Sequence, residues 1–161
     1  MRLSKYSLVY NPTMKKPLTF YTIILLFLVS LIHSLTGCDS SLREKQINEV
    51  ESHKQAIRID PDDAEAHFGL GFAYGESGKY QEAIESYKQA IRINPDLAGA
   101  HFGLGFAYGE SGKYKEAIES YKQAIRINPD LADAHYNLGL AYKKSGMYKE
   151  AIESFKQAIK A

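Results

Sequence analysis

One stretch of this chain is written twice. Ala66 to Leu97 reads AHFGLGFAYGESGKYQEAIESYKQAIRINPDL, and Ala100 to Leu131 repeats it with one change, Lys115 in place of Gln81. A looser third copy starts at Ala134 and runs AHYNLGLAYKKSGMYKEAIESFKQAIK to the end at Ala161. His67, His101 and His135 mark a period of 34 residues. A fixed period of that size means stacked units, each burying its apolar face against its neighbours rather than around one shared centre.

Within a unit, the apolar residues give the local structure. Leu70, Ala73 and Tyr74 share a helical face, with Gly71 beside them, and Tyr80, Ala83, Ile84, Tyr87, Ala90 and Ile91 recur at steps of three and four. Both halves therefore read as amphipathic helices. Gly78 is placed to take a positive φ and stop the first helix. Asn94-Pro95 stops the second, because a residue before proline is pushed out of the helical region. Asp96 is then expected to cap the helix that follows. A mid-helix glycine such as Gly71 costs about 1 kcal/mol relative to alanine, which is tolerable where it lets two helices approach closely.

This pattern resembles the tetratricopeptide repeat. The matching residues are Leu70, Gly71, Tyr74, Gly78, Tyr80, Ala83, Tyr87, Ala90 and Pro95 in the first copy, recurring 34 residues later from Leu104 to Pro129. In the third they are Leu138, Gly139, Tyr142, Gly146, Tyr148, Ala151, Phe155 and Ala158. The histidines at 67, 101 and 135 depart from the family, which often has Trp or Leu there. The resemblance implies an all-α fold, a right-handed α-solenoid of three helix-turn-helix repeats plus an N-terminal capping helix.

Upstream of the repeats the chain changes character. Residues 1–37 hold Arg2, Lys5, Lys15 and Lys16 and no acidic residue, so the remainder carries a net charge of −3 although the whole chain is at +1. Such asymmetry marks a basic leader ahead of a mildly acidic domain. Lys15 and Lys16 flank an almost wholly apolar run from Leu18 to Ile32, followed by Leu35-Thr36-Gly37-Cys38. This resembles a bacterial lipobox, in which the cysteine becomes the first mature residue and receives lipid on its thiol and usually on its amine. The resemblance implies lipidation of Cys38, an anchor to a membrane of the bacterial cell envelope, and repeats facing the periplasm or the exterior. A start at Met14 would give a compact signal of ordinary shape. The rival reading is an uncleaved anchor, since Thr19 to Leu35 is 17 residues, near the lower limit for a spanning helix. Cys38 is the only cysteine, so no intramolecular disulfide is expected.

The expected divisions are a signal segment at 1–37, a spacer and capping helix at 38–63, and repeats at 64–97, 98–131 and 132–161, the last one shortened. Residues 41–59 read as one helix with Ile47, Val50, Ala56, Ile57 and Ile59 on its apolar side. Its end, ESHKQAIRI, mimics ESYKQAIRI of the second helix of a repeat. A terminal helix of this kind covers the open end of a stack. At the other end, Ile152, Phe155 and Ile159 are expected to be partly uncovered, which leads to an expectation of weak self-association.

No catalytic constellation appears: no nucleophile with a base, no glycine-rich phosphate loop, no paired metal ligands. No metal, cofactor or enzymatic activity is expected, and the near-neutral charge gives no nucleic-acid footprint. The three histidines lie on successive first helices about 10 Å apart; they read as structural, with a shared ion as the weaker alternative. In the family, ligands bind the concave face formed by the first helix of each unit. Carried over by register, the partner-binding positions are Phe68 and Phe72, Phe102 and Phe106, then Tyr136 and Leu140, with Lys143 and Lys144 beyond them. The neighbouring polar residues are Glu65, Glu76, Glu110, Asp133 and Asn137. The groove is thus expected to be aromatic over two units and basic at the third, with Gly69, Gly75, Gly103 and Gly109 leaving room for a partner's backbone. The Lys/Asn/Arg clamp by which one branch of the family holds a terminal carboxylate is not reproduced. The expected partner is a protein or an apolar or amphipathic peptide, with the aromatic side chains as anchors. The alternative is a structural, self-assembling component of an envelope assembly.

Overall fold

The computed structural model describes residues 41–42 and 44–161. Among the described residues every regular element is an α-helix. Helix α1 spans 44–59 within the unit Glu44–Ala161. It is followed by α2 (Ala64–Glu76), α3 (Tyr80–Ile93), α4 (Ala98–Glu110), α5 (Tyr114–Ile127), α6 (Ala132–Lys144) and α7 (Tyr148–Lys160). Helices pair as α2 with α3, α4 with α5 and α6 with α7, and each pair packs on the next through α3 against α4 and α5 against α6. The first helices of neighbouring pairs also touch, α2 to α4 and α4 to α6. The fold is an α-solenoid.

The turns follow from their residues. Gly78, Gly112 and Gly146 have φ of 69°, 73° and 77°, the left-handed region that ends each first helix. The amide after each glycine, on Lys79, Lys113 and Met147, donates to the carbonyl of Tyr74, Tyr108 and Tyr142 at 2.9 Å. The second helices stop at Asn94 and Asn128, extended at ψ 95° and 97° ahead of their prolines.

The expected cap at Asp96 does not form. The residue at the N-cap of α4 is Leu97 and that of α6 is Leu131, neither of which makes a side-chain capping bond. Asn94 Oδ1 instead accepts from the Asp96 amide at 3.2 Å, closing the turn itself. Leu97 packs half-buried against the core around Ile84 and Tyr87, so this position exchanges a cap for apolar contact. The first repeat has Asp63 there, and its carboxylate accepts from the amides of Glu65 and Ala66 at 2.9 and 3.0 Å.

The core is a row of small and aromatic residues along the solenoid. Ala83, Ile84, Tyr87, Ala90, Ala100, Leu104 and Ala107 form one cluster; Ala117, Ile118, Tyr121, Leu138, Ala141, Tyr142 and Ala151 form the next. Gly71 serves close approach as expected: a Cβ there would lie 2.8 Å from the Tyr87 ring, and Gly105 stands in the same relation to Tyr121. The buried Ser86, Ser120 and Ser154 hydroxyls donate to the carbonyls of Glu82, Glu116 and Glu150 at 2.9 to 3.0 Å, so none of the three is stranded.

Helix α1 covers the first repeat through Val50, which is buried with Leu70 and Ala73, with Ile57 beside them. Ile47 and Ile59, expected on the same face, point to solvent. Two residues of α1 therefore do less than the sequence suggested. Cys38, the leader and the lipobox lie outside the described residues. No described helix is long and apolar enough to cross a membrane.

Candidate functional site: an aromatic groove on the first helices

Residues of α2, α4 and α6 meet in two adjoining cavities. The first, about 430 Å³, is lined by Phe68, Phe72, Phe102 and Phe106 over a floor that includes Tyr87, with Glu76 and Asp133 as its charged walls. The second, about 310 Å³, contains Phe106, Leu140, Glu110, Lys144 and Tyr114 around Tyr121. Phe106 and Asn137 belong to both and form the partition.

The aromatic side chains divide between packing and exposure. Phe68 lies against Tyr87 with ring centroids 5.9 Å apart, Phe102 against Tyr121 at 5.8 Å, and Tyr136 against Phe155 at 5.5 Å. These contacts build the wall from within. Phe72 is 55% exposed and Phe106 41% exposed, although Phe106 also meets the edge of Tyr80 at 6.4 Å. In the first two repeats the outer member, Phe72 or Phe106, is thus the one presented to a ligand, whereas in the third Tyr136 is exposed and Leu140 half-buried.

The remaining expected residues spread further. Leu140 and Lys144 join the second cavity. Tyr136 instead opens on a third, about 490 Å³, near the last helix with Phe155, Ala158 and Ile159. Lys143 is exposed and lines none of these three. The basic character of the third unit therefore reaches the groove through Lys144 alone.

Two of the four glycines expected to leave room do something else. A Cβ on Gly103 would collide with the Tyr87 ring, and one on Gly69 with the His53 ring. Tyr87 is held by a glycine of its own repeat, Gly71, and by one of the next, Gly103, whereas Tyr121 is held closely by Gly105 of its own repeat and has Asn137 where the next repeat would supply the second glycine. Only Gly75 faces open space, and Gly109 sits at ordinary contact distance from Ala117 and Tyr121. Tyr87 and Tyr121 as the floor were not singled out from sequence. The signal was present in the spacing, which sets Gly71 opposite Tyr87 and Gly105 opposite Tyr121.

Burial raises the Tyr87 phenol to about 12, and the negative charge of Glu76 adds to the shift. Burial and Glu110 push Tyr121 up in the same way. The carboxylate fields thus reach the groove floor. Among the described residues neither Glu76, Glu110 nor Asp133 has a salt bridge.

The histidines serve the turns. Nε2 of His67, His101 and His135 lies 3.1, 2.9 and 2.9 Å from the carbonyl oxygens of Pro61, Pro95 and Pro129, tying each first helix to the turn before it. Among the described residues no group of three or more His, Cys, Asp or Glu is placed to hold a metal ion.

The family model described as TPR repeat matches residues 50–78, 74–112 and 108–146, and the model described as tetratricopeptide repeat matches 132–161. A crystal structure of MamA has a TM-score of 0.66 and 36% sequence identity, covering 69% of this chain and 65% of that one. A second MamA structure gives 0.68 and 35%, covering 71% and 63%. The chain thus spans slightly less than two thirds of either solved chain. A MamA fragment from Desulfovibrio magneticus RS-1 gives 0.68 at 20% identity, over 74% and 68%, a likeness of fold alone. No curated protein matches.

Proposed function

The chain belongs to the tetratricopeptide repeat family, and from that premise we propose that it is a membrane-anchored interaction scaffold of the bacterial envelope, holding a peptide or protein partner in its concave groove. The fold is one suited to protein–protein interaction. The observation that carries the proposal for the groove is the pair Phe72 and Phe106, two large apolar side chains left open beside one cavity. Exposed apolar patches rimmed by polar groups are where proteins bind one another. The anchor rests on the basic flank, the apolar run and the Leu35 to Cys38 motif. Firm attachment needs more than one acyl chain, which full lipoprotein processing would supply.

Replacing Phe72 and Phe106 together by alanine is expected to weaken partner capture at least tenfold while leaving the melting curve nearly unchanged, since both rings are substantially exposed. Unchanged capture would remove the groove from the reading. Intact mass of the membrane-extracted protein tests the anchor: a chain beginning at Cys38 with added acyl groups supports it, and a chain retaining the leader replaces it with an uncleaved anchor.

A second reading, a self-assembling structural component, is favoured by α7. Ile118 on α5 is 5% exposed beneath its neighbours, whereas Ile152 at the same position of α7 is 57% exposed and Ile159 86%. A second copy covering this face would give weak self-association. Sedimentation of the protein with Ile152→Glu and Ile159→Glu is expected to remove any concentration-dependent species while sparing peptide capture. A monomeric wild-type protein at high micromolar concentration would end this reading.

A further inference from the structure

We infer that the groove selects a partner segment by charge as well as apolarity: a basic side chain, arginine or lysine, enters the first cavity among Phe72, Phe106, Glu76 and Asp133. The inference rests on the groove being the binding surface and adds what it takes. Its basis is the charged lining of the first cavity, which consists of two carboxylates and no cation.

The position of Glu76 strengthens this. Glu76, Glu110 and Lys144 are the last residues of α2, α4 and α6, equivalent by register. A helix C-terminus carries the negative end of the helix dipole and favours a cation, as Lys144 provides on α6. On α2 and α4 a carboxylate stands there instead, with no basic residue in the last turn. Carbonyl ends and carboxylates therefore add their negative potential at the same place. A guanidinium or ammonium entering there would meet Glu76 and Asp133 while lying near the open faces of Phe72 and Phe106. Such a cation gains from an aromatic face and a carboxylate together.

The second cavity differs, because Glu110 and Lys144 both line it. It offers a mixed wall and gives no comparable preference for a cation. A bound segment is thus ordered along the groove: its basic residue over the first two repeats, its apolar residues against Phe106 and Leu140, and neutral or acidic residues towards Lys144.

The test uses full-length protein in detergent and three dye-labelled twelve-residue peptides. They share the same leucine and phenylalanine positions and carry arginine, glutamine or glutamate between them. In fluorescence anisotropy at low salt, the arginine peptide is expected to bind at least tenfold tighter than the glutamine peptide, with the glutamate peptide weakest. Glu76→Gln with Asp133→Asn should remove most of that advantage. Glu82→Gln with Glu116→Gln changes the net charge equally on the exposed faces of α3 and α5 and should leave the advantage intact. Equal binding of the arginine and glutamine peptides, both weakened by Phe72→Ala with Phe106→Ala, would overturn the charge preference and leave the groove standing. An equal loss from both charge-neutralised variants would overturn it in favour of diffuse attraction. Binding of all three peptides that is indifferent to Phe72 and Phe106, or no binding, would overturn both the preference and the groove.

Discussion

Gly75 and Gly103 are alike in sequence context, both helical and both on first helices, yet a methyl group added to each has opposite consequences. At Gly75 it would meet nothing within 4 Å, so Gly75→Ala should stabilise the fold by about 0.5–1 kcal/mol through reduced backbone entropy in the unfolded chain. At Gly103 it would strike the Tyr87 ring. Gly103→Ala should therefore cost about 1–3 kcal/mol, as overpacked sites do, despite its better helix propensity. Chemical denaturation of the two single variants separates these signs. The phenol of Tyr87 adds a pH effect. Its folded value, raised to about 12 from the ordinary 10, means its protonated form is favoured by folding. That contribution is complete below pH 10 and is lost as pH rises towards about 12. Melting curves in that window should fall less steeply for Tyr87→Phe than for the native chain.

At the level of the helix, termini behave less uniformly than the repeat suggests. Asp63→Ala removes the side-chain cap of α2 and should cost about 1 kcal/mol. Asp96→Ala, at the residue expected to cap α4, should change stability by less than about 0.5 kcal/mol, because that carboxylate caps no helix. Equal losses in the two denaturation curves would contradict this assignment. The helices, their order and their turn glycines were legible in the sequence because periodicity and positive-φ positions are local properties. The cap was misread because Leu97 is decided by its contacts with α3, which no local pattern encodes. Gly69 and Gly103 were misread for the same reason: a glycine opposite a ring of another helix and a glycine opposite open solvent look identical in a linear chain. The acidic wall was only half legible, because Asp133 comes from the third repeat and lines the same cavity as Glu76 only in the stacked fold.

Across the stack of repeats, one aromatic ring is gripped from two sides: Tyr87 touches Gly71 within its own repeat and Gly103 in the following one. Neighbouring units of a linear array communicate only through such junctions. Tyr87 is thereby a central side chain of the junction between the first and second repeats, beside Ala90, Leu97, Ala100 and Leu104, and helps set how far unfolding of one unit is felt by the next. Native-state hydrogen exchange should report nearly matched opening energies for α2 through α5 in the native chain. Tyr87→Ala would break that unison, freeing residues 44–93 to open on their own while α4 to α7 stay closed. A protein built this way yields under load or heat at a chosen seam, and the groove straddling that seam is the first thing to come apart.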